Sequence, residues 1–220
     1  MEEDGVILID KPTCISSFGV VARVRRVLSQ QVGHKVKVGH TGTLDPFASG
    51  LMILVTGKFT KKATDFTKMD KSYDAAVVLG KTSTTCDPEG EITSISDRVP
   101  SLDEIENAIE CFVGKINQKP PAFSAIKIAG QRAYKLARAG KAVDIPKREV
   151  TIYSIKINDY SYPILDITAH VSSGTYIRTL AADIGTKLST GAYLQALRRT
   201  EVGQYSIDDA KSLQDLGVDN

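Results

Sequence analysis

The alternation of apolar and polar residues along the chain predicts interleaved strands and helices. Strands are expected where apolar residues alternate or run together, at residues 5–10, 51–55, 71–79, 150–157 and 164–171. Helices are expected where apolar residues recur at helical spacing, after Ser16 or Ser17, over 58–66, after Ser101, over 130–140 and from Tyr176 towards Leu188. Because these elements lack regular βαβ spacing, we predict an α+β fold around a mixed or antiparallel sheet, in a single domain over residues 1–220.

Two of the predicted helices carry an apolar stripe that should face the core. The stripe of the first helix comprises Phe18, Val21, Val24 and Leu28. The second helix begins with the capping-box pattern Ser101-Leu102-Asp103-Glu104, and its stripe comprises Leu102, Ile105, Ile109 and Phe112. The double proline at 120–121 ends any helix before it, and we expect a strand to follow as far as Ile128.

The distribution of charge is more informative than the net charge of +2. Basic residues dominate 23–71 and 115–148, whereas acidic residues concentrate in 87–110 and after Asp208. Such segregation is typical of a face that binds phosphate groups, and a solvated lysine surface explains it equally well. The chain has 220 residues, 42% of them hydrophobic, which is enough to bury a core, so disorder is not expected.

The cysteines and the apolar runs bear on the cellular compartment. Cys14, Cys86 and Cys111 show no paired spacing and no neighbouring histidines, so we expect reduced thiols and no zinc site. The acidic N-terminus lacks the basic start of a secretory signal. No apolar run approaches the ~20 residues that a membrane span needs. We therefore expect a cytoplasmic protein.

One loop combines conformational restriction with a single acid. The stretch 38–50 contains three glycines, a proline, a histidine and one carboxylate, Asp45. Pro46 biases Asp45 towards an extended conformation, and the buried strand predicted at 51–55 should anchor the loop in the core. The pattern leaves two interpretations open. Asp45 is either a catalytic carboxylate on a stiff loop or an aspartate that caps a turn.

Six segments of the chain resemble, in the same order, motifs of the TruB family of tRNA pseudouridine-55 synthases. They are Asp10-Lys11-Pro12 with Ser16-Ser17, the Asp45 loop, Lys71-Ser72-Tyr73, Gln118 to Ala125, Gly174 to Leu180 and Ala196 to Thr200. The resemblance extends over nearly the whole chain. It implies the pseudouridine synthase fold, in which a long mixed sheet with flanking helices carries a central active-site cleft.

The resemblance also implies a reaction and the residues for it. The family isomerises a uridine in the T-loop of tRNA to pseudouridine, with no cofactor and no metal. By resemblance, Asp45 is the nucleophile, Arg178 is its cationic neighbour and Tyr73 is a base or relay that stacks on the uracil. The substrate-binding residues implied are Lys11, His40, Asp87, Tyr176 and Leu197. The expected partner is the T-arm of tRNA, and we expect a monomer with no membrane partner.

The chemistry explains why these residue types are suitable. A carboxylate can attack the sugar or the base, or assist loss of a 2′ proton. A dry cleft raises the pKa of a carboxyl group, and an arginine within ~4–6 Å lowers it again. Asp87 can share that guanidinium and keep it aimed at Asp45. The target uridine must be flipped out of the T-loop, and His40 is near enough to Asp45 in sequence to fill the vacated stack or to hold the displaced loop. Without the resemblance, Tyr73 is more simply a core tyrosine on a strand.

The chain departs from the family pattern in three places. Ser173 stands where the family often has a basic residue, and Thr84 where it often has an aspartate. We also expect the usual C-terminal RNA-binding domain to be absent, since only about twenty residues follow Thr200. The alternatives are a guide-RNA-dependent relative, a tRNA-binding folding chaperone, and a hydrolytic site formed by Asp45, Asp87 and Glu89.

Overall fold

The computed structural model describes residues 3–124, 126–128, 130–133, 136 and 144–218. Two compact units divide the chain: the first comprises Met1–Tyr73 and Leu197–Asn220, and the second comprises Asp74–Ala196. None of the helices formed by the described residues combines the length and the apolar character that crossing a bilayer would require.

Strands and helices are interleaved along the described residues, without a regular βαβ order. In chain order, the elements are β1 (Gly5–Lys11), α1 (Ser17–Val32), β2 (Val38–His40), β3 (Ser49–Thr56), α2 (Ala63–Thr67), β4 (Lys71–Leu79), β5 (Lys81–Ser83), β6 (Ile92–Ser94), α3 (Leu102–Glu110), β7 (Gly114–Gln118), β8 (Lys127–Ile128), β9 (Gln131–Arg132), β10 (Arg148–Ser161), β11 (Ile164–Val171), α4 (Ile177–Lys187), β12 (Ala192–Val202) and β13 (Tyr205–Ser206). The strands predicted at 5–10, 51–55, 71–79, 150–157 and 164–171 all lie within observed strands. The helix predicted over 58–66 is a 3₁₀ helix, Gly57–Lys62, followed by α2.

Strand β3 is the centre of the first unit. It pairs antiparallel with β1 along the whole of β1, from Gly5↔Thr56 to Lys11↔Gly50, and β2 also pairs antiparallel with it. The C-terminal part of β12 joins β3 in parallel at Arg198 and Arg199, so the pairing is mixed, as predicted.

The apolar run in β3 is continuous because both of its faces are buried. Met52 and Leu54 pack on one side in a cluster with α1 residues such as Val20 and Val24. Leu51, Ile53 and Val55 pack on the other side, in a cluster with Phe66 of α2 and Val202 of β12. A strand covered on both sides has no polar face, and this explains the absence of alternation in its sequence.

Helix α1 begins as predicted but does not bury Phe18. The hydroxyl of Ser16 accepts a hydrogen bond from the Gly19 amide and caps the helix. Phe18 is 66% exposed, so its assignment to the buried stripe is wrong, and Val20 is buried instead. The buried side is centred on the direction of Ser17, and at about 100° per residue Phe18 points a quarter-turn away from it.

In the second unit, the strand order is β4–β11–β10–β7, and β10 pairs antiparallel with both of its neighbours. The capping box at Ser101 and Glu104 is present at the start of α3. Leu102 is 46% exposed, contrary to its predicted place in the stripe, because it occupies the first turn and the buried side is formed by Ile105, Ala108 and Ile109.

The strand predicted after the double proline is largely wrong. Strand β7 ends at Gln118, and residues 119–124 form no strand. Among the described residues that follow, up to Ile128, only Lys127–Ile128 pairs, with Gln131–Arg132. Prolines lack the amide N–H that a sheet ladder needs, which explains the interruption. The helix predicted over 130–140 lies largely outside the described residues.

Candidate active site

The loop that carries Asp45 connects β2 to β3 in the first unit, and Asp45 itself is half-buried. Its backbone is fixed on the C-terminal side through Pro46. The carbonyl of Pro46 accepts hydrogen bonds from the Cys14 amide at 2.8 Å and from Nζ of Lys11 at 3.4 Å. The Ala48 amide donates to the Asp45 carbonyl at 3.2 Å, which closes a turn around Pro46.

Ser17 fixes the same loop on the other side of Asp45. Its buried hydroxyl accepts a hydrogen bond from the Leu44 amide and donates one to the Leu44 carbonyl, both at 2.8 Å. From the sequence, Ser17 is an alternative helix cap and part of a family motif, and neither role predicts a contact with Leu44. The contact joins residues 27 positions apart, and no local sequence pattern signals a contact at that distance.

Lys11 is a fully buried cation beside the loop. Besides Pro46, its ammonium group donates to the carbonyls of Pro12 at 2.8 Å and Ile15 at 2.7 Å. Burial lowers the pKa of Lys11 to about 8, and the negative charge of Asp45 opposes that shift. Lys11 and Asp45 are therefore close enough to interact electrostatically within the first unit.

The other predicted site residues of the first unit lie on its strands. Tyr73 is buried on β4, His40 ends β2 and is half-buried, and Leu197 is half-buried on β12. Two residues before Tyr73 on the same strand, Lys71 is a second buried cation of the first unit. Lys71 donates to the carbonyls of Thr67 and Met69, and burial lowers its pKa to about 8.

In the second unit, Asp87 and Arg178 form a buried ion pair. Nη1 of Arg178 lies 2.7 Å from Oδ2 of Asp87, and both side chains are almost fully buried. The same guanidinium donates to the carbonyls of Thr85 at 3.2 Å and Phe123 at 2.7 Å. The acceptors lie on two separate segments of the chain, so they hold the Arg178 side chain in one direction.

The turn after β5 holds Asp87 for this pair. Its Oδ1 accepts hydrogen bonds from the Thr85 hydroxyl and, at 3.0 Å, from the Glu89 amide. Its carbonyl accepts from the Ser83 hydroxyl at 2.6 Å. The pairing with Arg178 occupies Asp87, which argues against the hydrolytic carboxylate alternative.

Tyr176 is the residue that precedes α4. Its amide donates to Oε1 of Gln118 at 2.8 Å, and its carbonyl accepts from Nε2 of Gln118 at 3.0 Å. Gln118, at the end of β7, thus fixes the backbone at the point where α4 begins. Two residues further on, Arg178 lies in the first turn of α4.

The structure therefore assembles the predicted residues in two groups. Lys11 and Asp45 come together in the first unit, which also contains His40, Tyr73 and Leu197. Asp87, Tyr176 and Arg178 belong to the second unit. Asp45 and Arg178 belong to different units, so their pairing is part of the proposal below.

A solved structure titled "Crystal Structure of a Cbf5-Nop10-Gar1 Complex" contains a chain of similar fold. The TM-score is 0.75 and the sequences are 29% identical, over 97% of this chain and 53% of that chain. This chain thus spans about half the length of that relative. A second solved structure, of an archaeal box H/ACA sRNP Nop10-Cbf5 complex, gives a TM-score of 0.71 at 28% identity.

Family models and curated relatives identify the chain. The model described as "TruB family pseudouridylate synthase (N terminal domain)" matches residues 25–177, and the one described as "tRNA pseudouridylate synthase B C-terminal domain" matches 178–218. Together with the α+β fold, these matches define an isomerase of the pseudouridine synthase class.

Relatives named tRNA pseudouridine synthase B refine that class. The protein from Chlamydia pneumoniae is 41% identical over 94% of this chain and 86% of its own length. The one from Flavobacterium johnsoniae is 42% identical over 94% of this chain and 92% of its own. The chain belongs to the TruB family of pseudouridylate synthases. The predicted family, fold class and enzyme class are thereby confirmed, whereas the single-domain expectation stays a prediction.

Proposed function

We propose that this protein is a tRNA pseudouridine synthase that isomerises the uridine at position 55, in the T-loop of tRNA, with Asp45 as its nucleophile. The observation that carries the proposal is the way the Asp45 loop is held. Its single carboxylate is half-buried, and buried side chains bind the backbone on both sides of it: Ser17 at Leu44 and Lys11 at Pro46. Relatives named tRNA pseudouridine synthase B, at 41% identity, support tRNA as the substrate.

The isomerisation moves one bond of the nucleoside. The bond from C1′ of the ribose to N1 of uracil breaks, the base turns, and C1′ bonds to C5. The proton on C5 leaves and N1 gains one, so the atoms balance without a co-reactant. Asp45 acts by attacking the sugar or the base, or by assisting loss of a 2′ proton, each of which divides one difficult step into easier ones.

Arg178 and Lys11 keep Asp45 ionised in this proposal. A guanidinium within ~4–6 Å of a carboxylate favours its charged form, and the ion pair with Asp87 orients Arg178 for that role. Lys11 adds a second positive charge from within the first unit.

Tyr73 handles the proton on C5 and stacks on the uracil. A phenol is a weak base at neutral pH, so transfer through a water molecule or through the substrate is more effective than direct abstraction. The burial of Tyr73 is compatible with a ring that forms one wall of a base pocket.

The remaining site residues accommodate the flipped nucleotide. Flipping a base out of the folded T-loop costs a few kcal/mol, and His40 offsets part of this cost by filling the vacated stack. Tyr176 and Leu197, both half-buried, form walls of the base pocket. The basic segments 23–71 and 115–148 supply the face for the T-arm phosphates. In this proposal the protein acts as a monomer in the cytoplasm, where its tRNA substrate is.

The guide-RNA-dependent alternative has less support. The chain is 41% identical to a tRNA pseudouridine synthase B of which it covers 86%, and 29% identical to a chain of the Cbf5-Nop10-Gar1 complex of which it covers 53%. The stronger and more complete match favours a stand-alone enzyme that acts on tRNA.

The test is Asp45→Asn, assayed on an unmodified tRNA transcript with pseudouridine mapped at single-nucleotide resolution. We expect pseudouridine at position 55 with the native chain, and none with the variant even in a single turnover, because an amide is a poor nucleophile. The dissociation constant for tRNA should change by no more than a few-fold, since the substitution removes no contact to phosphate.

Two controls sharpen this test. Asp97→Asn, an exposed substitution outside the two basic segments, should leave the rate unchanged. A transcript with cytidine at position 55 should yield no product there. Product formed by Asp45→Asn would refute the nucleophile assignment, and lack of product with the native chain would refute the proposed function as a whole.

A further inference from the structure

Arg199, on β12, joins the two ends of the Asp45 loop. Its guanidinium is buried, and its Nη2 donates to the Gly42 carbonyl at 3.2 Å, before Asp45. Its Nε donates to the Leu51 carbonyl at 2.7 Å, after Asp45. One side chain therefore connects residues on both sides of the catalytic loop.

The backbone of Arg199 reinforces the second of these contacts. Arg199 is paired with Gly50 in the parallel ladder between β12 and β3. Gly50 has a φ of +105°, and a Cβ at this position would lie 2.3 Å from the Arg199 carbonyl oxygen and 2.6 Å from its amide nitrogen. Only glycine permits this approach, so the end of the loop lies directly against Arg199.

The other end of the loop lies beside the guanidinium, without the close overlap seen at Gly50. A Cβ on Gly42 would lie 3.4 Å from Nη1 of Arg199. A guanidinium is a rigid, planar fork whose N–H donors point in different directions. It can therefore bind two carbonyls on separate segments at the same time. A lysine ammonium, on a flexible stem, cannot reproduce that geometry.

Arg199 also contributes charge to the surroundings of the loop. Its positive charge adds to burial in lowering the pKa of Lys71 and of Lys11. Lys11, Lys71 and Arg199 all donate to backbone carbonyls. Arg199 donates to carbonyls before and after Asp45, and Lys11 donates to one after it.

We propose that Arg199 is a positioning residue for the isomerisation, which holds both ends of the Asp45 loop so that the carboxylate keeps one position against the nucleotide. This inference rests on the proposed role of Asp45 as nucleophile. Positioning matters because a displacement of about 1 Å in a reacting group can reduce the rate about 10²-fold.

The test is Arg199→Lys, with two readouts. The first is hydrogen exchange of the loop amides of Thr41, Leu44 and Ala48, each of which donates a hydrogen bond in the native chain. We expect their exchange to accelerate about tenfold or more, as loss of one hydrogen bond to a charged group allows. The second is the single-turnover rate on tRNA, which should fall about 10²-fold while the dissociation constant changes less than about threefold.

The matched control is Arg98→Lys in the second unit. Arg98 likewise donates to a backbone carbonyl, that of Leu188, and pairs with Glu104. Its substitution should reduce stability slightly and leave both the exchange of the loop amides and the single-turnover rate unchanged. Should Arg199→Lys fail to fold, Gly42→Val tests the same contact, because its Cβ would already touch Nη1 of Arg199 at 3.4 Å and the two γ carbons extend beyond that contact. It should accelerate the same amides and lower the same rate.

The outcomes separate the inference from the proposed function. Unchanged exchange of the loop amides in Arg199→Lys, or in Gly42→Val, would overturn the inference whatever the activity. Accelerated exchange with an unchanged single-turnover rate would overturn the positioning role and leave the proposed function standing. Absence of product from the native chain would refute the proposed function, and with it the positioning role, while hydrogen exchange still reports whether Arg199 holds the loop.

Discussion

The two units use buried charge in opposite ways. In the first unit, Lys11 and Arg199 donate to backbone carbonyls, and these contacts fix the loop that carries Asp45. In the second unit, a turn fixes the carboxylate of Asp87, which in turn fixes the guanidinium of Arg178. Cations position an acid in one unit, and an acid positions a cation in the other.

The difference predicts different responses to substitution. A buried ion pair that loses one partner leaves an uncompensated charge, and the free energy of unfolding falls sharply. A buried lysine that donates to carbonyls already bears the cost of burial as a depressed pKa. Its removal should therefore change how stability depends on pH more than it changes stability at neutral pH.

The largest effect is expected for Asp87→Ala. The substitution leaves the buried guanidinium of Arg178 without its carboxylate, and we expect a loss of about 3–5 kcal/mol in the free energy of unfolding, measured by urea denaturation. The double variant Asp87→Ala/Arg178→Met should recover part of the loss, because no charge then stays uncompensated.

The control for this prediction is Glu149→Ala, which removes one partner of the exposed ion pair with Lys115. Exposed pairs contribute about 0–1 kcal/mol, so little change is expected. If Asp87→Ala lowered the free energy of unfolding by less than about 1 kcal/mol, the buried pair would contribute no more than an exposed one, and the contrast in how the two units use buried charge would not hold.

An intermediate effect on stability is expected from the titration of Lys11. Its pKa is about 8 in the folded chain, against an ordinary value of 10.5, so the unfolded chain binds more protons between these values. The free energy of unfolding should therefore rise with pH across that window. In Lys11→Met this rise should be smaller by about 1–3 kcal/mol than in the native chain.

The measurement is the free energy of unfolding of the native chain and of the variant at pH 7, 8, 9 and 10, which extends to about two pH units above the pKa of Lys11 in the folded chain. Lys115→Met, at an exposed position of β7, controls for the loss of one positive charge. Identical pH dependence in the native chain and in Lys11→Met would contradict the assignment of Lys11 as a buried lysine with a depressed pKa.

The smallest effect is expected for Ser17→Ala. The substitution leaves the amide and carbonyl of Leu44 without their partner, which should cost about 1–2 kcal/mol. Ser16→Ala removes the helix cap at a similar cost of about 1 kcal/mol. Only Ser17→Ala should accelerate hydrogen exchange of the Leu44 amide. Equal exchange in the two variants would show that Ser17 does not fix the loop.

The sequence predicted the elements better than their contacts. Strands such as β3 and β11 follow from local apolar patterns, and the capping box of α3 is a local signal as well. Phe18 and Leu102 were misassigned because both lie in the first turn of a helix, where helical spacing alone does not define the buried side.

The candidate site residues come from family motifs and stay predictions, and the motifs did not identify Ser17 or Arg199 as residues that hold the Asp45 loop. Arg199 lies in a segment recognised from the family, yet only Leu197 was selected from it. The role of Ser17 depends on a contact with Leu44, 27 positions away, and that of Arg199 on contacts with Gly42 and Leu51 at separations of 157 and 148. Long-range hydrogen bonds leave no periodic signal in a single sequence.

The parallel pairing of Arg199 with Gly50 has a consequence for biosynthesis. A ribosome releases the chain from its N-terminus onwards, so the Asp45 segment emerges long before the strand that completes its surroundings. Closing so large a loop is slow compared with forming local structure. The Asp45 loop of the nascent chain should therefore reach its final conformation only after Arg199 has left the ribosome.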